Sequence, residues 1–168
     1  MKLTLITACY NSAGTIRTAI ESVFSQQGVD VEYIVIDGGS KDETVDIIKE
    51  YAAKTNDQRL TTNDFTFRWL SERDQGMYDA INKGIAMATG DIVGILNADD
   101  VLASTDALEH IAERFGGTGN GERKIRIEII PLLFECHWEA DYDIILCVSS
   151  PRSLQVERMT SLRGYTEE

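Results

Sequence analysis

The chain has 168 residues, 43% of them hydrophobic, which is enough for one domain with its own core. Sixteen basic against twenty-eight acidic residues leave a net charge of −12, a balance that repels nucleic-acid backbones and anionic lipid surfaces. The three cysteines, Cys9, Cys136 and Cys147, form no C-x-x-C pair and suggest neither a disulfide framework nor a zinc site, pointing instead to a reducing cytoplasm; no apolar run reaches the roughly 18 residues of a membrane span.

Leu3 to Ala8 is a compact run with β-branched members and reads as a central strand. Ile16, Ala19, Ile20, Val23 and Phe24 then recur at helical spacing, and Gly28 is expected to close that helix. Val31 to Ile36 is a second strand, delivering Asp37 to its carboxyl end. In Gly38-Gly39-Ser40-Lys41-Asp42-Glu43, Ser40 and Glu43 have the offset of a capping box, so a helix is expected just after Ser40, with Val45, Ile48 and Tyr51 buried. Thr61 to Asp64 reads as a loop, and Phe65, Phe67 and Trp69 alternate with Thr66 and Arg68 as a third strand. Met77, Ala80, Ile81, Gly84, Ile85 and Ala88 give a helix whose small residues suit close packing, with Gly90 expected to stop it as a C′ glycine.

Ile92 to Leu96, between Gly90 and Asn97-Ala98-Asp99-Asp100, reads as a buried parallel strand that ends abruptly in polar groups. A helix from Ser104 or Thr105 to Phe115 follows, with Leu108, Ile111 and Phe115 inward. Alternation of strand and helix over residues 1–115 predicts an α/β fold, a mostly parallel sheet with helices on both faces. Four glycines in Gly116–Gly121 form a connector, beyond which Ile125, Ile127 and Ile129 alternate with charged residues as in a half-exposed strand. Ile144 to Val148 is a further short strand, and residues 151–168 have little periodicity.

Ligands of open α/β sheets sit beyond the carboxyl ends of the strands. Three such ends carry polar groups here: Thr7 to Asn11, Asp37, and Asp99-Asp100. Neighbouring strands lie about 5 Å apart, so these ends converge. Adjacent aspartates either carry a cation or stand in water, and hard oxygen ligands suit Mg²⁺ or Mn²⁺; the plainer reading is a solvated turn. Asp37 suits a nucleobase imide or amino group, with Tyr10 bordering the base, or else is a turn residue capping the helix at Ser40. Arg73 and Lys83 have the charge to reach a diphosphate, although Lys83 on a helix suits solvent equally. His110 and His137 show no metal-ligand spacing. No P-loop, G-x-G-x-x-G or G-x-S-x-G motif is present.

Five blocks, taken together, resemble the family 2 glycosyltransferases of GT-A fold. They are Leu5–Ser12, Glu21–Gln27, Glu32–Thr44, Ser71–Gly84 and Leu96–Asp100, and the likeness covers about residues 1–115. The resemblance implies a Rossmann-like, nucleotide-diphospho-sugar transferase architecture, with residues 1–115 as the sugar-nucleotide-binding half and 116–168 as an abbreviated or divergent acceptor-side segment. It is strongest to branches that build bacterial exopolysaccharide or surface glycans, and implies a cytoplasmic enzyme with a UDP-sugar donor, a glycan or lipid-linked acceptor and Mg²⁺ or Mn²⁺. Thr7, Tyr10 and Asp37 would hold the nucleoside and Asp74 would lie near the base or sugar; Ala8, Asn11, Arg73, Lys83 and Ala98 complete the donor set. Asn97-Ala98-Asp99 falls on the family's D-x-D motif, with Asp99 the metal ligand and Asn97 in place of the first acid. Glu139–Leu146 resembles the segment that supplies the base, making Asp141 the catalytic candidate, though it follows Asp100 by only 41 positions. The alternative is a sugar-nucleotide-binding module without catalysis.

Overall fold

The computed structural model describes residues 1–55 and 65–116, together with Ile127–Glu128 and Leu146–Cys147. The elements run β1 (Lys2–Cys9), α1 (Ile16–Phe24), β2 (Asp30–Asp37), α2 (Thr44–Thr55), β3 (Phe65–Ser71), α3 (Met77–Met87), β4 (Ile92–Ile95) and α4 (Ala107–Gly116), followed by the two-residue strands β5 (Ile127–Glu128) and β6 (Leu146–Cys147). Strand order in the sheet is β3-β2-β1-β4-β6-β5. The first four are parallel, while β6 pairs antiparallel with both β4 and β5. The chain therefore moves outward from β1 to β3 and then returns to the other side of β1. That reversal puts a topological switch point between β1 and β4, where such sheets open a crevice.

Alternation along the strands divides the core. Leu3 and Leu5 of β1, with Val31, Tyr33 and Val35 of β2, pack against α1, α2 and α4. Ile6, Ile34 and Ile36 face the other way, onto Ala80 and Ala88 at α3. Side chains of this size each stabilise by about 1.5–3 kcal/mol when fully buried. Helix α3 docks closely because Gly84 has no side chain: a Cβ there would stand 2.5 Å from Ile6 Cγ2. On the opposite face Phe24 gathers Tyr51, Phe65 and Phe67 at centroid distances of 5.5, 4.7 and 5.6 Å.

Several local expectations are corrected. The capping box does not form: Ser40 turns its hydroxyl to Asp37, and α2 starts at Thr44, whose N–H and hydroxyl both donate to Asp42. The buried stripe of α2 is Thr44, Ile47, Ile48 and Tyr51, with Val45 only half-buried. Helix α1 ends at Phe24 and Gly28 lies beyond it in a turn at φ 76°. Met77 is 54% exposed rather than inward. Gly90 is not a C′ residue in the left-handed region; it is small because a Cβ would meet Thr4 Oγ1 at 2.6 Å and Lys2 O at 2.9 Å. Helix α4 starts two or three residues later than expected. Its entry is held by Gln26, whose amide nitrogen donates to Ser104 O (2.6 Å) and whose oxygen accepts from Leu108 N–H (3.0 Å). The loop at 61–64, Ile125, Ile129 and the tail from Pro151 lie outside the described residues, as does the side chain of Phe115.

At the amino-terminal edge of the sheet lies a buried charge inside what reads as an apolar run. Glu32 is 1% exposed. It accepts from Thr4 hydroxyl (2.7 Å), Thr89 N–H (2.7 Å), Thr89 hydroxyl (2.9 Å) and Arg68 Nη1 (3.2 Å). Burial opposes its ionisation, but the bonds from Thr89 and Thr4 and the charge of Lys2 outweigh it and hold the carboxyl below the usual glutamate range. The turn between α3 and β4 is thereby fastened to β1 and β2.

Candidate functional site

The carboxyl ends of the four parallel strands open into one cleft of about 1120 Å³. Ala8 to Ser12 line it at the end of β1, Gly38, Gly39 and Lys41 after β2, Arg73, Asp74, Gly76 and Met77 after β3, and Asn97 to Asp99 after β4. The loops are stitched to one another. Asn11, at φ 50°, is the described non-glycine residue in the left-handed region, a conformation Asn tolerates better than most. Its N–H donates to Ser40 Oγ (2.7 Å) and its side-chain oxygen accepts from Lys41 N–H (2.9 Å). Ser12 N–H donates to Thr44 Oγ1 (2.8 Å), and Ala13 N–H to Asp42 Oδ2 (3.1 Å). Tyr10, 58% exposed, stands at the mouth.

Asp37 takes the structural one of its two expected roles, that of a turn residue bonded to Ser40. It is fully buried and its oxygens accept from Gly39 N–H (3.1 Å), Ser40 N–H (3.1 Å), the Ser40 hydroxyl and the Ser71 hydroxyl (2.7 Å). The carboxylate thus stands behind the wall and shapes the Gly38–Ser40 turn. Thr7 is also fully buried, its hydroxyl 2.9 Å from Tyr33 Oη, and lies outside the lining. Lys83 also departs from the expected donor set: its Nζ pairs with Glu72 (2.9 Å) and Asp79 (3.2 Å), bracing the turn that carries Arg73 and Asp74. Ala8, Tyr10, Asn11, Arg73, Asp74, Ala98 and Asp99 are brought together as expected. Asp141 lies outside the described residues.

Asp74 is held at the cleft wall by Gly76 N–H (3.0 Å) and lies against Gly38, where a Cβ would come within 2.6 Å of its oxygen. Across the sheet, Asn97 Nδ2 donates to Asp100 Oδ2 at 2.8 Å. Burial first, and then the charge of Asp99, raise the Asp100 pKa against that hydrogen bond. The pair turns Asp100 out of the lining and leaves Asp99 as the carboxylate on the β4 side. No group of three His, Cys, Asp or Glu side chains able to hold a metal occurs among the described residues. One carboxylate still fits a divalent ion of the Mg²⁺ type, which often takes one or two protein carboxylates and completes its shell with ligand phosphates and water. Cys9, in the lining but buried, is held as the thiol: burial and the neighbouring Asp37 push its pKa up to about 12.

Lys41 and Met77 line the cleft but were not among the expected site residues. The sequence around Lys41 reads as a helix start and Met77 matches a helical stripe, so local pattern assigned both to structure. The adjacent pair Gly38-Gly39 was the available signal of a loop that something must approach closely.

The parallel α/β sheet with its cleft at the switch point is the fold of the GT-A class, as its likeness to solved glycosyltransferases shows. Two solved structures support that fold. The mannosyltransferase PcManGT from Pyrobaculum calidifontis, in complex with GDP-Man and Mn²⁺, superposes with a TM-score of 0.61 at 24% identity, over 71% of this chain and 33% of that one. S. aureus TarS 1-349 in complex with UDP-GlcNAc gives 0.57 at 21% identity, over 76% and 38%. The sequence pattern described as "Glycosyl transferase family 2" matches residues 4–121, and the chain belongs to that family. A PGL/p-HBAD biosynthesis glycosyltransferase of Mycobacterium tuberculosis is 34% identical over 112 residues, which is 67% of this chain and 41% of that protein. A glycosyltransferase of Nostoc sp., itself uncharacterized, is 34% identical over 115 residues, 68% of this chain and 33% of its own length. The chain thus spans less than half the length of these relatives. Among the described residues no helix is long and apolar enough to cross a membrane.

Proposed function

We propose that this domain binds a nucleoside-diphosphate sugar, by preference a UDP-sugar, and transfers the sugar with inversion to a hydroxyl of a glycan or lipid-linked acceptor in the cytoplasm, in the assembly of a surface or exported polysaccharide. The observation that carries the reading is convergence: Tyr10, Arg73, Asp74 and Asp99, from three separate strand ends, line one cleft. The family supplies the reaction class, and the relatives and solved structures, named for glycosyl transfer and for nucleotide-sugar complexes, support the donor class.

In this reading Tyr10 borders the base, and Asp74 faces base or sugar. Thr7 and Asp37 act from behind the wall, Asp37 by holding the Gly38–Ser40 turn. Asp99 is the residue that would hold Mg²⁺ or Mn²⁺, and such an ion supplies positive charge against the diphosphate. The acceptor hydroxyl attacks the anomeric carbon opposite the departing diphosphate, which inverts the configuration. A carboxylate takes the hydroxyl proton as the bond forms, worth about 10²–10⁴ in rate; Asp141 is the candidate. A second reading, donor binding without transfer, draws on the short separation between Asp100 and Asp141 in the sequence, since a held donor gains little without an oriented acceptor.

Calorimetry with UDP and with GDP, each with and without Mn²⁺, tests the common ground of both readings: absence of binding in every condition overturns both. Donor turnover with a pool of glycan and lipid-linked acceptors separates them. Loss of turnover of at least about 100-fold in Asp141→Asn assigns the base, and unchanged turnover removes that residue from the mechanism.

A further inference from the structure

In this acidic molecule, Lys2, Arg17, Lys49, Lys54, Arg68 and Lys83 all carry ion pairs with carboxylates. Lys41 and Arg73 carry none among the described residues, and both line the cleft. The acids beside them in sequence have other partners, Glu72 pairing with Lys83 (2.9 Å). Asp42 gives its oxygens to Ala13 N–H (3.1 Å) and to Thr44, and Asp74 accepts from Gly76 N–H (3.0 Å). The two loops abut, since a Cβ on Gly39 would lie 3.5 Å from both N and Cα of Arg73. The backbone of Lys41 is fixed by its bond to Asn11, so the cation is presented from an ordered turn.

Two unpaired cations on abutting loops at one wall repel each other. An anionic occupant removes that repulsion. The β4 side, meanwhile, offers Asp99 with Asn97 in the first position of the acidic motif, and the amide nitrogen of Asn97 is committed to Asp100. Neutralisation of a diphosphate by a metal at that side is therefore served by one carboxylate. Resting on the nucleotide-binding reading, we propose that Lys41 and Arg73 together hold the phosphates of the donor, so that a substantial share of donor affinity is supplied by protein cations and persists without a divalent ion. Lys41 becomes a donor-binding residue, and nucleotide binding becomes more sensitive to salt than to chelation, as expected of exposed charges meeting an anion.

The test is calorimetric titration of the whole chain in EDTA with UDP against uridine and GDP against guanosine. For at least one base the diphosphate binds about tenfold more tightly than its nucleoside, the gain of a charge-assisted contact. Lys41→Gln and Arg73→Gln each shrink that ratio severalfold, while Lys49→Gln, which removes the same charge from the outer face of α2, leaves it unchanged. Both cleft positions are exposed, and thermal unfolding of each variant at the parental midpoint confirms the fold. Equal binding of diphosphate and nucleoside in EDTA overturns the proposal, as does a ratio untouched by Lys41→Gln. If diphosphates bind only when Mn²⁺ is added, this inference alone falls; if none binds with or without Mn²⁺, the nucleotide reading falls with it.

Discussion

Asn97 shows how one side chain sets the character of the β4 turn. An amide at that position donates to Asp100 (2.8 Å), where a carboxylate would repel it. Asn97→Asp is expected to do two opposite things: add a hard oxygen ligand beside Asp99, raising the enhancement of UDP binding by Mn²⁺, and lose the bond to Asp100, lowering thermal stability by about 1 kcal/mol. Titration with and without Mn²⁺, alongside a melting curve, reads both effects, and unchanged enhancement would show that Asn97 has no part in metal binding. Asn11 is the other residue whose identity the geometry dictates. Asn11→Ala strains its left-handed backbone and removes the bond to Lys41 N–H, while the backbone bonds of residues 11–13 to the segment after β2 remain; it should destabilise by about 1–3 kcal/mol in urea unfolding and weaken nucleotide binding by loosening the Lys41 turn. Little of this was legible from single letters. Asp37 ends an apolar strand beside a cleft, as a binding residue would, yet only the three-dimensional placement of Ser40 and Ser71 shows that its oxygens are already taken.

At the scale of elements, helical periodicity anticipated every described helix, because each buries one face; strands β1, β2 and β4 were legible as compact apolar runs, because they are covered on both faces, and β3 as an alternation. Ends were less legible. Helix α2 starts where Asp42 and Thr44 meet rather than at Ser40, since Ser40 is drawn back to Asp37, three residues before it. Gly90 reads as a helix stop but is small for contact with β1, a neighbour 86 residues away in sequence. Helix α3 tests the packing argument. Gly84→Ala places a methyl 2.5 Å from Ile6 Cγ2, so overpacking should destabilise by about 1–3 kcal/mol despite the higher helix propensity of alanine. A variant as stable as the parent in urea would mean that α3 can lift from the sheet, and the mouth of the cleft with it.

For the molecule as a whole, the two ends of the sheet carry different chemistry. The cleft gathers groups from four loops, while the opposite edge is closed around Glu32. The pKa of Glu32 is lowered on folding, so its contribution to stability is complete above its ordinary value of 4.5 and is lost as pH falls through the lower folded value. Urea midpoints measured from pH 6 downward should therefore fall more steeply in the parent than in Glu32→Gln, which is less stable near neutrality but has no charge to lose; parallel curves would remove Glu32 from the acid transition. The fold class was legible because alternation and strand ends are properties of the whole pattern. The acceptor side was not, since the recognisable blocks end near residue 115 and the candidate base follows them.

The fastening of Glu32 to Thr4, Thr89 and Arg68 has a consequence for how such a domain diversifies. With the far rim of the sheet clamped, the strands form a fixed floor, and adaptation to a new sugar or base falls on the short turns at the other rim, which can be exchanged without disturbing what lies beneath. A scaffold divided in this way leaves its cleft to be respecified through those turns, and two proteins of the same fold are solved with different donors, GDP-Man in one and UDP-GlcNAc in the other.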